Sequence, residues 1–304
     1  MKPEVSVVVP TYNRAAFVEA SLESVLAQEA VAFEVVVVDD GSQDDTLARL
    51  GRIRDPRLRV LPVAHGGVGA ARNAGVAAAQ GAYVAFHDSD DVALPGRLAR
   101  PVAVLRAQPE LGLVIQNGRF LPPDDAPHGP SEPWIKPEVT RALVGRTIGV
   151  AEVFRWNLGQ LQGMCFTRAA LDTVGPFDTS FHILDDLDLV LRVAARFPAV
   201  FLDEEAFLYR RHGGGIARDR GTVREEAIRL AEKLVSTHPE VLPVLGRDDF
   251  HRRQARRYAR LARARQRAGD TLGARAALKR ARELRPMNLR YQLEALWLRL
   301  RPRP

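Results

Sequence analysis

The stretch VSVVVP, residues 5–10, is apolar and largely β-branched, and EVVVV at residues 34–38 repeats the pattern. Short runs with so little polar alternation read as strands covered on both faces, the mark of a parallel sheet. Between them Phe17, Val18, Leu22, Val25 and Leu26 recur at helical spacing and complete a βαβ unit. The alternation continues with a short helix over residues 46–53, a strand over 59–63, an Ala-rich helix over 69–80 and a strand over 83–86. The expected fold class is therefore α/β, a Rossmann-like and mostly parallel sheet flanked by helices.

Ligands of such sheets bind beyond the carboxyl ends of the strands. Here those ends carry Pro10-Thr11-Tyr12-Asn13, Asp39-Asp40-Gly41-Ser42 and His87-Asp88-Ser89-Asp90-Asp91. The third cluster is the most pointed chemically. Acidic and imidazole groups massed after a buried strand are unfavourable unless a cation sits among them. Two carboxylates one residue apart suit Mn²⁺ or Mg²⁺, hard ions that complete their shell with substrate phosphates. A solvated acidic turn capping the next helix is the plainer reading of that segment alone. Three polar clusters on one sheet edge decide against it.

Farther along, residues 122–137 hold six prolines and Trp134, a density that excludes regular elements. The segment reads as an irregular excursion, either a lid or acceptor-side loop or an inert surface loop. Residues 161–170 return to strand and then helix character, residues 184–197 read as a helix opened by Asp185, Asp186 and Asp188, and 200–202 read as a strand. From Gly221 the pattern is helical and Arg-rich. Residues 253–267, a Gly269-Asp270 break, residues 273–284 and Pro286 form a helical hairpin whose spacing resembles one tetratricopeptide unit. The expected domains are residues 1–220 and an all-α helical subdomain over 221–304.

Composition bounds the function. With 304 residues, 46% hydrophobic and 27% charged, the chain reads as an ordinary soluble protein with a sizeable core. No apolar run approaches the length of a membrane span, and the N-terminus enters a strand pattern without an apolar leader. The one cysteine, Cys165, excludes an internal disulfide framework and a Cys-based zinc site. A cytoplasmic enzyme is expected. The net charge of +7 is uneven: from Val223 onward 21 Lys and Arg face 9 Asp and Glu, a surplus of 12 that leaves the preceding part at −5. The basic helices are either simply solvated or make peripheral contact with an anionic membrane face.

With its clusters placed, the chain resembles the family 2 inverting glycosyltransferases of GT-A fold. The matching segments are VSVVVPTYNR, VVVVDDGSQDDT, GVGAARNAG, GAYVAFHDSDD and VGPFDTSFHILDDLDLVLRVA, in the family's order over roughly residues 4–215. The C-terminal third lies outside the resemblance. It implies a nucleoside-diphosphate-sugar donor, UDP-linked on the family's habits, and a saccharide or lipid-linked acceptor of the kind used in cell-wall or polysaccharide biosynthesis. Pro10, Thr11, Tyr12, Asn13, Asp39 and Asp40 then take the nucleoside, with Arg72 close to the diphosphate or base, Asp88 facing the ribose or the metal's waters, and Ser89 also at the donor nucleotide. Asp90 and Asp88 hold the metal, joined by His212, and Asp186 acts as general base. The family more often has Glu-Asp where this chain has Asp185-Asp186, so either carboxylate remains open as the base. Trp156 and Gln162 are expected near the acceptor.

Several of these residues keep a plainer reading. Tyr12 suits a core edge, one of Asp39 and Asp40 suits a turn before Gly41, Arg72 suits an exposed helix face, and the acids at 185–188 suit a helix cap. Two other functions compete: an inactive nucleotide-sugar-binding module that recruits partners through its helical tail, and a nucleic-acid binder suggested by the pI of about 10. Intact Asp88, Asp90 and Asp186 weigh against the first. No aromatic-interleaved basic strand or reader motif supports the second, and no specific nucleic acid is expected.

Overall fold

The computed structural model of the chain describes residues 2–121, 131–211 and 220–300. It divides into two compact units, Met1–Gly215 and Ile216–Pro304. The first opens with β1 (Val5–Thr11), α1 (Val18–Leu26), β2 (Phe33–Asp39), α2 (Thr46–Leu50), β3 (Leu58–Pro62), α3 (Val68–Ala78) and β4 (Tyr83–Phe86). It continues through β5 (Val92–Ala93), α4 (Ala99–Ala107), β6 (Leu113–Phe120), α5 (Pro137–Leu143), β7 (Thr147–Ile148) and α6 (Val150–Trp156). A 3₁₀ turn at Leu161–Gly163 leads into β8 (Met164–Thr167), α7 (Arg168–Val174), α8 (Asp185–Ala194) and β9 (Ala199–Tyr209).

Among the described residues one nine-stranded sheet runs β3-β2-β1-β4-β8-β6-β9-β5, with β7 also on β9. The expected parallel pairing holds from β3 to β4. Beyond β4 the sheet is mixed, because β8 runs against both of its neighbours while β6 and β9 are parallel to each other. The strand period of two sorts the valines. Val5, Val7, Val9, Val35 and Val37 join Val18, Leu22 and Val25 of α1 in one buried cluster. Val36 and Val38 face the other way, against Ala71 of α3. Gly75 lets α3 lie close on that face, since a Cβ there would run into Val8.

The register aligns the functional ends. Thr11 pairs with Asp39, and β4 stops at Phe86 opposite Val8, so that the His87 N–H reaches Val8 O at 3.0 Å. The described part of the proline-rich excursion forms no strand of its own. It returns through one bridge, Arg119 to Pro133, and sets Trp134 at a tilt against the Phe120 and Tyr209 rings.

The second unit is all helical, with α9 (Arg220–Thr237), α10 (Val241–Leu245), α11 (Arg247–Arg267), α12 (Thr271–Leu284) and α13 (Leu289–Leu300). Ala255, Ala259 and Ala262 of α11 pack with Ala274, Ala277, Leu278 and Ala281 of α12, small side chains that let two helices approach closely. Gly269, at φ +83°, makes the turn between them, and Asp270 caps α12 by accepting from the Gly273 N–H at 2.7 Å. Tyr291 turns the inner face of α13 to this core, while Leu289, Leu293, Leu296 and Trp297 are exposed. Among the described residues no helix is long and apolar enough to cross a membrane.

Candidate active site

The nucleoside end is built where β1 and β2 finish side by side. Asn13 adopts a left-handed conformation, φ 51°, and stitches the loop after β1 to the loop after β2. Its N–H donates to Ser42 Oγ at 2.9 Å and its Oδ1 accepts from the Gln43 N–H at 2.8 Å. Tyr12 stacks on His65, ring centroids 4.3 Å apart and planes 26° from parallel. Pro10 and Thr11 are buried within β1. Asp39 is fully buried. Its Oδ2 accepts from the Ser42 N–H at 3.1 Å, while its Oδ1, like the neighbouring Thr11 Oγ1, has no protein partner.

Asp40 is engaged by the protein itself. Its Oδ1 accepts from the Gly66 N–H at 2.7 Å, and its Oδ2 accepts from the Gly67 N–H and meets His65 Nδ1, both at 2.9 Å. That carboxylate organises the loop entering α3 and carries the ring beneath Tyr12. His65 escaped the sequence reading because an isolated histidine before two glycines has no distinguishing pattern.

Beyond β4 the acidic loop is held by arginines from distant elements. Arg72 is 6% exposed; its Nη1 donates to Asp185 Oδ2 at 2.8 Å and its Nη2 to Asp88 Oδ1 at 3.2 Å. Burial works against its charge, but Asp185 and Asp88 outweigh that and raise its pKa further. Arg72 is thus not an exposed helix arginine. It is a strut between α3, the acidic loop and α8, seated over the Phe177 ring. Asn73 and Phe177 exchange two hydrogen bonds, of 3.0 and 2.8 Å, that fix the same approach.

Burial and the nearby Asp90 raise the Asp88 pKa, and Arg72 opposes them. Asp91 is pushed well above the usual carboxylate range by burial, then by Asp88 and Asp90. Its Oδ1 accepts from the Arg210 N–H at 2.9 Å, so it ties the loop to the chain following β9 rather than capping a helix. Asp90 Oδ2 accepts from Arg14 Nε at 2.8 Å. Ser89 is buried between them. His87 is held neutral, its pKa lowered to about 4 by burial and by Arg97, and its Nε2 lies 3.1 Å from Ser21 Oγ beneath the loop.

Gln162 reaches the acidic loop from the 3₁₀ turn. It is buried and donates to both Asp88 Oδ2 and Asp91 Oδ2, so it braces the acidic loop. Trp156 ends α6 with 38% of its surface exposed, so it does not fill the core. His212 lies outside the described residues.

The acids at the start of α8 separate by environment. Asp185 is 1% exposed and bound to Arg72, and Asp188 pairs with Arg192 at 2.8 Å, which ties it to its own helix. Asp186 is only partly buried, and its Oδ1 accepts from the Leu187 N–H at 2.6 Å. Burial first, then Asp185, raise its pKa to about 8 against the pull of Arg72. Among the described residues no group of three or more His, Cys, Asp or Glu forms a ready metal cage. The donor set that is present, two carboxylates on one loop, suits a hard dication that takes further ligands from a diphosphate.

Comparison with known proteins bears on the fold and the family. The structure of Staphylococcus aureus TarS residues 1–349 with UDP-GlcNAc superimposes with a TM-score of 0.66 at 19% identity, covering 98% of this chain and 89% of that one. A Pyrobaculum calidifontis mannosyltransferase in complex with GDP-Man and Mn²⁺ gives 0.62 at 22% identity, covering 98% and 85%. These likenesses establish the GT-A fold. In sequence, the chain is 48% identical over 101 residues to the succinoglycan biosynthesis protein ExoO of Rhizobium meliloti, which is 33% of this chain and 29% of that protein. It is 30% identical over 218 residues to an uncharacterized glycosyltransferase of Nostoc, 69% of this chain and 65% of that protein. The chain thus spans less than two thirds of the length of either relative. The model of glycosyl transferase family 2 matches residues 6–170. That match covers more than half of the chain, which therefore belongs to glycosyl transferase family 2.

Proposed function

We propose that the chain transfers a sugar from a UDP-linked donor to a hydroxyl of a glycan or lipid-linked acceptor, with inversion at the anomeric carbon. The observation that carries this reading is the Arg72 bridge, which places the acids opening α8 and the acidic loop after β4 against one guanidinium. Tyr12 offers a ring to the base, and the unpartnered Oδ1 of Asp39 is an acceptor suited to a base N–H. Asp88 and Asp90 would hold Mn²⁺ or Mg²⁺. When bound, such an ion neutralises charge on the leaving diphosphate.

Asp186 supplies the base. The acceptor O–H proton passes to its carboxylate, and the oxygen bonds to the anomeric carbon from the face opposite the diphosphate. The old carbon–oxygen bond breaks, and its electron pair leaves on the nucleoside diphosphate. Asp185 is poorly placed for this, being buried on Arg72, whereas the raised pKa of Asp186 brings its proton affinity close to working pH. A glycan acceptor accords with the succinoglycan role of ExoO. The helical unit's surplus of arginine and the exposed leucines of α13 support peripheral contact with an anionic membrane at its cytoplasmic face.

A thermal-shift panel of UDP, GDP and dTDP, each with and without Mn²⁺, tests the donor and the metal together. UDP with Mn²⁺ should stabilise most, by about 2.7 kcal/mol at a hundredfold excess over Kd. Asp90→Ala should lose the metal-dependent part. Equal shifts from all three nucleotides, or none, would remove this reading.

A further inference from the structure

The loop after β1 brings a cation to Asp90, one of the two carboxylates proposed to hold the metal. Arg14 Nε donates to Asp90 Oδ2 at 2.8 Å, and its Nη1 lies 3.2 Å from Tyr12 O and 3.3 Å from Asn13 O. The Arg14 N–H donates to Thr46 Oγ1 at 2.8 Å, which anchors the base of the side chain on α2. The pair is sheltered, with side-chain exposures of 20% and 16%. A second guanidinium, that of Arg210, donates from Nε to the Asp90 carbonyl at 3.1 Å.

A charge-assisted bond of this kind is about twice as strong as a neutral one. A dication approaching Asp90 alone has to displace Arg14 from a carboxylate oxygen and is repelled by its charge. A dication arriving with a diphosphate meets the opposite balance. The phosphate oxygens offset the positive charge and offer Arg14 acceptors to replace Asp90, with bidentate geometry that suits a guanidinium.

We propose that Arg14 makes metal loading depend on the donor, by keeping Asp90 in an ion pair until a nucleoside diphosphate draws the guanidinium away. This rests on the metal role proposed for Asp90. Its consequence is an order of events: bare Mn²⁺ binds poorly, and nucleotide and metal enter together.

Mn²⁺ titrations followed by electron paramagnetic resonance, with and without UDP, test it on the whole chain. In the unmodified protein UDP should tighten Mn²⁺ binding by about tenfold or more. Arg14→Gln should bind Mn²⁺ several-fold more tightly without UDP, so that the gap between the two titrations narrows. Arg14→Lys keeps the charge and should stay close to the unmodified protein, and circular dichroism confirms that each variant is folded. If Arg14→Gln weakens Mn²⁺ binding in both titrations, Arg14 only props Asp90 and the inference is overturned. A gain in both variants also overturns it, because charge would then not be the cause. If the unmodified protein takes up no Mn²⁺ even with UDP, the metal reading itself fails, an outcome distinct from either.

Discussion

In the α/β unit, Asp39, Asp40, Arg72, Asp91, Arg97 and Asp185 are all buried, whereas every arginine of the helical unit whose side chain is described lies at an intermediate or exposed position. The helical unit buries alanine and leucine instead, and among its described residues the buried polar groups are Glu226, His238 and Gln254. Removing charge from water is unfavourable, and pairing recovers only part of the loss. A unit that concentrates buried charge at one sheet edge is therefore shaped by something other than stability. The helical unit shows what the same chain does without that demand.

Single substitutions sharpen the contrast. The largest expected effect is at Arg72. Arg72→Ala leaves Asp185 buried without its counter-ion and should destabilise the protein by about 3–5 kcal/mol in urea unfolding. Adding Asp185→Asn should restore part of that loss, because the stranded charge goes with it. The smallest effect should come from the other unit. Leu293→Ser, on the exposed face of α13, should change stability by no more than about 0.5 kcal/mol. A loss at Leu293 as large as that at Arg72 would show that α13 is covered, and the contrast would collapse.

Much of the α/β unit was legible because its signals are local. The valine runs of β1 and β2 have no plausible helical reading, and the polar clusters follow the strand ends directly. What escaped depends on tertiary approach. The partners of Asp88, Asp90 and Asp91 come from Arg72, Arg14, Gln162 and Arg210, on elements far apart in the chain, and no spacing rule links an arginine to a carboxylate across such distances. The hydrogen bonds of Gln162 are hidden because only its neighbourhood, and not its direction, can be read from the sequence. The orientation of β8 was equally hidden: a four-residue strand, Met164–Thr167, looks the same in a parallel or an antiparallel pair. In β6 the apolar run breaks off at Gln116, which masked a strand that continues to Phe120. Asp185 and Asp186 are chemically alike in sequence, and only burial and the Arg72 contact separate them.

Everything proposed for the reaction requires the donor cleft and a proton acceptor to meet at the carboxyl edge of the sheet. The most direct test compares Asp186→Asn with the unmodified protein in donor binding and in the pH profile of kcat/KM. The base works only when ionised, so with its pKa raised to about 8 the unmodified protein should gain activity as pH rises and level off above that value. Asp186→Asn should bind UDP and Mn²⁺ with unchanged affinity while transfer falls by about a hundredfold or more. Undiminished transfer in that variant, with the same rise in pH, would contradict the account.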